Sequence, residues 1–224
     1  SLGWILDELG ASPHISTKVQ IGPEHRHDIP GEIERSMEAS LRRLQLESVD
    51  LIQLHTPVTQ TSGADRGSMS VDDVLGRNGV IAGFERLKRR GLTRWFGFTG
   101  LGETDCLHRL ITSGQFDAVQ AYYNLLNPSA GRPMPEGFSA HDYGDLIGLA
   151  AANGVGVLNI RILAAGAIVG RDPIGPEGGL SPGSPPTADM DRGARVRKVL
   201  GDQAGSMATT AIRYGLANPG VSGV

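Results

Sequence analysis

The sequence predicts an α/β protein, a parallel sheet with helices outside it, and three observations carry that prediction. Short β-branched or apolar runs alternate with helix-period segments about five times along the 224 residues. Gly91, Gly114 and Gly154 each close a helical segment just before a strand, and alternation of this kind builds a parallel sheet. No glycine-rich phosphate fingerprint follows any strand: Gly97-Phe98-Thr99-Gly100-Leu101-Gly102 has glycines, at the wrong spacing for a dinucleotide-binding turn. A (β/α) barrel is therefore favoured over an open doubly wound sheet.

The elements follow in order. Residues 2–10 read as a helix tail closed by Gly10, and 14–19 as a short β-branched strand ending near Lys18. After a loop with Pro23, His25 and His27, a helix starts at about Pro30, with Ile33, Met37, Leu41 and Leu44 on one face. Val49 to His55 is a mostly apolar strand, as buried parallel strands are. A Thr-, Ser-, Gly- and Asp-rich loop is expected over 56–79, then a helix with Ile81, Phe84 and Leu87 inward, capped at Gly91. Strand 93–99, helix 103–113, strand 116–121, helix 141–153 and strand 155–160 continue the alternation. The Gly/Pro-rich segment 164–188 is expected to be irregular. Helices at about 189–203 and 206–217, with Ser206 as N-cap, lead to a strand starting at Val221.

Composition narrows the function. With 39% hydrophobic and 20% charged residues the chain suffices for one sizeable core, so residues 1–224 are read as a single domain. A net charge of −3 and no basic stripe argue against nucleic acid; Arg42-Arg43 and Lys88-Arg89-Arg90 are expected to be solvated helix faces. The single cysteine, Cys106, has no internal disulfide partner and no zinc-type spacing around it, and reads as a small core residue. The amino terminus lacks the pattern of a signal peptide, and the most apolar stretch, 154–170, is interrupted by Asn159 and Arg161. A soluble, cytoplasmic protein with no membrane or metal partner is the expectation; oligomeric state is open.

The carboxyl ends of the strands carry Lys18, His55, Thr99 with Gly100, Gln120, and Ile160 with Arg161. In a barrel all of these ends face one site. Alone, such a lysine is more often a solvent-facing residue and such a histidine more often structural; their coincidence on one rim is the informative feature. Lys and His without a metal cluster suit polarisation of a carbonyl oxygen. A Schiff-base lysine is the competing chemistry. Thr and Gln suit an amide-bearing ligand such as a nicotinamide carboxamide.

These residues resemble the aldo/keto reductases over nearly the whole chain. Ser16-Thr17-Lys18-Val19 is similar to that family's lysine strand, and Ser40 to Leu44 followed by Val49 to His55 to its helix and histidine strand. Arg94 to Gly100 resembles the strand that usually ends in Ser-Asn, Val119 to Leu126 the glutamine strand, and Ile162 to Gly166 the Ser-Pro-Leu turn with its glycine. The resemblance implies a TIM-type (β/α)8 barrel, incomplete here, with strands about three to seven and the start of eight. It implies an enzyme using NADP or NAD to transfer a hydride to or from a carbonyl or alcohol carbon. By position, Lys18 and His55 would be catalytic. Thr99, Gly100 and Gln120 would lie at the nicotinamide amide, Ile160 where an aromatic often stacks on the ring, and Arg161, Leu163 and Gly166 beside the pyrophosphate.

The family's aspartate and general-acid tyrosine belong upstream of Ser1, so a chain truncated at both ends, and inactive alone, is expected. Thr99-Gly100 in place of Ser-Asn resembles the subgroup similar to L-galactose dehydrogenase, which points toward a sugar-like substrate among small aldehydes, ketones and sugars. The alternatives are a non-catalytic, cofactor-sensing regulatory subunit and a Schiff-base aldolase using Lys18.

Overall fold

The computed structural model describes residues 2–65, 67–171, 186–201 and 206–224. The chain divides into two compact units, Ser1–Val119 and Gln120–Val224, each described in turn.

In the first unit, α1 (Leu2–Leu9) leads to β1 (Ser16–Val19), a 3₁₀ turn (Pro23–Asp28), α2 (Ile29–Leu44) and β2 (Val49–Leu54). Then come a small ladder of β3 (Val58–Thr59) with β4 (Met69–Ser70), α3 (Val71–Leu75), α4 (Val80–Arg89), β5 (Thr93–Thr99) and α5 (Thr104–Thr112). Strand β6 (Ala118–Tyr122) begins in this unit. β1, β2 and β5 are parallel, with Lys18 opposite Gln53 and Gln53 opposite Gly97.

Side chains alternate across a sheet, and that parity separates core from site. Val19, Ile52, Leu54, Phe96 and Phe98 are buried. The Phe96 ring lies 5.4 Å from that of Phe84 on α4, and Thr17 donates to Ser40 on α2 at 3.4 Å, which marks this face as the helix-covered one. The helices supply Ile33, Met37, Leu87, Leu107 and Leu110, all fully buried, each contributing roughly 1.5–3 kcal/mol by leaving water. Ser16, Lys18, Leu51, Gln53, His55, Trp95, Gly97 and Thr99 have the opposite parity.

The second unit holds α6 (Leu146–Ala152), β7 (Gly156–Ile160), a kinked 3₁₀ segment (Ala164–Val169), α7 (Pro186–Leu200), α8 (Met207–Leu216) and β8 (Val221–Gly223). β7 and β8 are parallel. Leu126, Ala164, Ala167, Ile168 and Ala211 form its buried cluster.

Most sequence expectations hold, Thr93–Thr99 residue for residue. Gly91, Gly114 and Gly154 follow α4, α5 and α6 at positive φ, Ser206 caps α8, Cys106 is buried and the two basic clusters are exposed. Others are corrected. The loop expected over 56–79 contains the β3–β4 ladder and α3, which Ser70 and Asp73 start with a capping box. The helix expected from His141 begins at Leu146, because Asn127 and Ser129 side chains bind the His141 carbonyl and Ser129 Oγ accepts from the Tyr143 N–H. Of the irregular segment 164–188, residues 172–185 lie outside the described residues, and α7 starts at Pro186. Residues 202 and 203 of the helix expected over 189–203 also lie outside them.

Candidate active site

The first unit brings three of the nominated residues together. Lys18 and His55 follow one another across neighbouring parallel strands, for the His55 N–H donates to the Val19 carbonyl at 2.8 Å. The half-buried His55 ring meets Thr99 across the next pair, with 3.1 Å between Nδ1 and Oγ1. Gly100 comes next in the chain, buried. Lys18 is exposed as a residue, yet protein around its ammonium lowers its pKa by desolvation.

The loops beyond these strand ends are tied to one another. The Ile21 N–H donates to buried Thr56 Oγ1 at 2.7 Å. Arg26 donates from Nη1 to Ser62 Oγ at 2.5 Å and from Nη2 to the Gly67 and Ser68 carbonyls at 2.6 Å each. On the other side of His55, the Val58 N–H donates to the Leu101 carbonyl and the Glu103 N–H donates to the Val58 carbonyl, both at 2.9 Å. The strand-end groups thus sit on a braced rim. Nothing in the sequence singles out Arg26, since an arginine between two histidines carries no spacing that reveals a clamp. Gln53 does have a signal, for a polar residue two places before His55 in a mostly apolar strand shares its face.

In the second unit Gln120 is half-buried on β6, and Ile160 and Arg161 are half-buried at the end of β7. Arg161 has φ 60°, and its guanidinium lies 5.9 Å from the centre of the Tyr122 ring. Asn124 Nδ2 donates to the Arg161 carbonyl at 3.0 Å, while its Oδ1 accepts from the N–H groups of Leu126 and Asn127. Leu163 and Gly166 line a cleft of about 660 Å³ with Ala165, Val169, Arg171 and the first turn of α8, Ser206 to Ala208. Gly166 is at φ 104°, and a Cβ there would lie 2.9 Å from the Arg171 carbonyl oxygen. Arg161, Gln120 and Ile160 are not among the residues lining this cleft. A helix N-terminus beside an arginine suits an anion.

Two of the chain's tyrosines, Tyr143 and Tyr214, are held away from the role of proton donor. Tyr143 and Tyr214 have pKa values pushed upward by burial, the reverse of what a general acid near neutrality needs. Tyr143 precedes α6 rather than lying on it and stacks on Tyr122. Among the described residues no group of three His, Cys, Asp or Glu side chains is placed to hold a metal, and no helix is long and apolar enough to cross a membrane.

Parallel strands alternating with helices, with polar side chains gathered where the strands end, define an α/β protein of the barrel-enzyme type. The aldo/keto reductase family model matches residues 7–224. The chain belongs to the aldo/keto reductase family. It is 27% identical over 195 residues to L-galactose dehydrogenase of Arabidopsis thaliana, covering 86% of this chain and 52% of that protein. Among solved structures, aldo-keto reductase AKR11C1 from Bacillus halodurans (holo form) matches with a TM-score of 0.68 and 21% identity, covering 100% of this chain and 65% of that one. An aldo/keto reductase from Klebsiella pneumoniae in complex with NADP and acetate matches with a TM-score of 0.61 and 20% identity, covering 100% and 62%. The fold is therefore that of the (β/α)8 barrel, incomplete in this chain, which spans about half the length of its sequence relative and under two-thirds of these structures.

Proposed function

We propose that the full-length protein is an NAD(P)-dependent oxidoreductase acting on a small aldehyde, ketone or sugar. The observation that carries this reading is the juxtaposition of Lys18, His55 and Thr99 at adjacent strand ends in a chain of this family. His55, with its ring oriented by Thr99, donates a hydrogen bond to the substrate oxygen, and Lys18 places positive charge beside it. Thr99 and Gly100 at the end of β5 would offer hydrogen bonds to the carboxamide of a nicotinamide, and Gln120 and Ile160 of the second unit are carried as cofactor-binding residues by the family resemblance.

The cleft in the second unit fits a dinucleotide. Gly166, at a φ that a side chain would strain, lets the turn close against the Arg171 backbone, and the α8 N-terminus and Arg171 offer positive potential to a pyrophosphate. Leu163 and Gly166 are its walls, while Arg161 lies over the Tyr122 ring and is not among them. The cofactor, when bound, supplies or accepts the hydride. The likeness to a protein named L-galactose dehydrogenase supports a sugar as substrate. Burial holds Tyr143 and Tyr214 away from the proton-donor role, and the 224 residues alone are proposed to be inactive.

The test is titration of the full-length protein with NADPH, NADH and their oxidised forms, followed by turnover assays on an aldehyde, ketone and aldose panel. Binding with turnover supports the reading. Binding with no turnover on any of them favours a cofactor-sensing regulatory subunit, and absence of binding overturns both. Robust turnover by the isolated 224 residues would refute the proton-donor assignment.

A further inference from the structure

Below His55, on the same face of β2, lies a polar side chain that neither the fold nor the proposed reaction uses. Gln53 is completely buried. Its Nε2 donates to Ser16 Oγ at 2.7 Å, which commits one end of the amide to β1. The other end, Oε1, is buried with no hydrogen-bond partner. A buried amide oxygen left unpaired costs about 1–3 kcal/mol, and an apolar residue would fill this position in a mostly apolar strand without that cost. Gly97 opposite leaves room for the chain of Gln53, for a Cβ there would lie 3.0 Å from Gln53 Cγ. On the remaining flank the register partner of Gln53 is Lys18, two residues beyond Ser16 on the same face. Lys18 brings three N–H donors.

We propose that Gln53 is a positioning residue for Lys18: with its nitrogen anchored on Ser16, its oxygen accepts a hydrogen bond from the Lys18 ammonium and fixes that charge beside His55. Among the described residues, the charged groups around β1 leave this role to Gln53. His55, which follows β2, shares the face of Lys18, whereas Asp50 is bonded to Ile15 and His14 at the far end of the strand. From α2, Arg43 is bonded to Ser40 on the Thr17 side.

The inference rests on the oxidoreductase reading only for what Lys18 is for, and its test needs neither substrate nor cofactor. The Lys18 pKa is read by NMR of its labelled Cε in the full-length protein, in Gln53→Met and in Gln53→Glu. Methionine keeps the volume and removes the acceptor, so the Lys18 pKa falls; glutamate adds a charge, and it rises by about 1 or more. Should one variant fail to fold, the other carries the test. A Lys18 pKa identical to that of the parent in the folded variants overturns the proposal whatever the activity. A Lys18 that follows residue 53 in a protein without turnover supports it and removes only the oxidoreductase reading.

Discussion

His55 Nδ1 and Thr99 Oγ1 lie 3.1 Å apart, joining the ends of two neighbouring parallel strands. Thr99 is 1% exposed and locked in β5, so it holds the imidazole by a group that cannot itself move. The bond selects the ring's orientation and, in the proposed function, which nitrogen would face the substrate. Thr99→Val keeps shape and removes the hydroxyl. We expect it to cost about 1 kcal/mol of stability and roughly tenfold in kcat of the full-length enzyme, against ~10²–10⁴ for His55→Ala. Steady-state kinetics checks this: a Thr99→Val rate equal to the parent's would show that the bond orients nothing.

Gly102 sets the path of the chain leaving β5. Its φ is 124°, and a Cβ would meet the Val58 carbonyl oxygen at 1.9 Å and the Val58 nitrogen at 2.6 Å. Both obstacles are backbone, so no rotamer change relieves them. Gly102→Ala should destabilise the protein by about 3 kcal/mol, from the forbidden conformation and the displaced bridge together. Urea denaturation measures it; a loss below about 0.5 kcal/mol, the scale of ordinary surface changes, would show that the loop after His55 shifts freely.

What the sequence made legible follows from how local the governing physics is. Strand β5 is readable because Trp95, Phe96 and Phe98 stand between two turn signals, and α4 because Phe84 and Leu87 repeat at helical period. Lys18 and His55 are readable because strand ends gather chemistry in this fold class. The late start of α6 is not, since it depends on Asn127 and Ser129 reaching residues twelve to fourteen places away. The capping box of α3, Ser70 with Asp73, was present in the sequence as a short-range signal but lay inside a segment whose composition reads as loop. The pairing of His55 with Thr99 needs the register of β2 on β5, which side-chain periodicity alone does not set.

Asp50 ties the other end of the sheet and makes stability pH-dependent. The Ile15 N–H donates to its Oδ2 at 2.8 Å, and that bond, aided by His14 and Arg94, holds the carboxyl below its ordinary pKa. A depressed folded pKa means that the unfolded chain takes up the proton first. The stabilisation is then full above the unfolded value of about 3.9 and is lost as pH falls through the folded value. Asp50→Ala should therefore cost about 1–2 kcal/mol at neutral pH, and the gap from the parent should close as pH drops below about 4. Denaturation at stepped pH tests this; a gap constant down to strongly acidic pH would exclude the charge as its source.

Asn124 plays the corresponding part in the second unit, and it reaches the proposed cofactor site through the backbone. It is 3% exposed, and all three of its bonds go to main chain: Nδ2 to the Arg161 carbonyl at 3.0 Å, Oδ1 from Leu126 N–H at 2.9 Å and from Asn127 N–H at 3.0 Å. Arg161, Ala164 and Ala165 all have positive φ, so the turn that presents Leu163 and Gly166 is held by its surroundings rather than by local preference. Asn124→Leu removes the support and leaves buried backbone groups unpaired, at about 3 kcal/mol in total. Asn124→Asp keeps both accepted bonds and loses only the one to Arg161. If that bond sets the turn, Asn124→Asp should stay folded in urea titrations while binding NADPH at least about tenfold more weakly, a difference of roughly 1.4 kcal/mol. Unchanged affinity in a folded Asn124→Asp protein would detach the turn from cofactor binding.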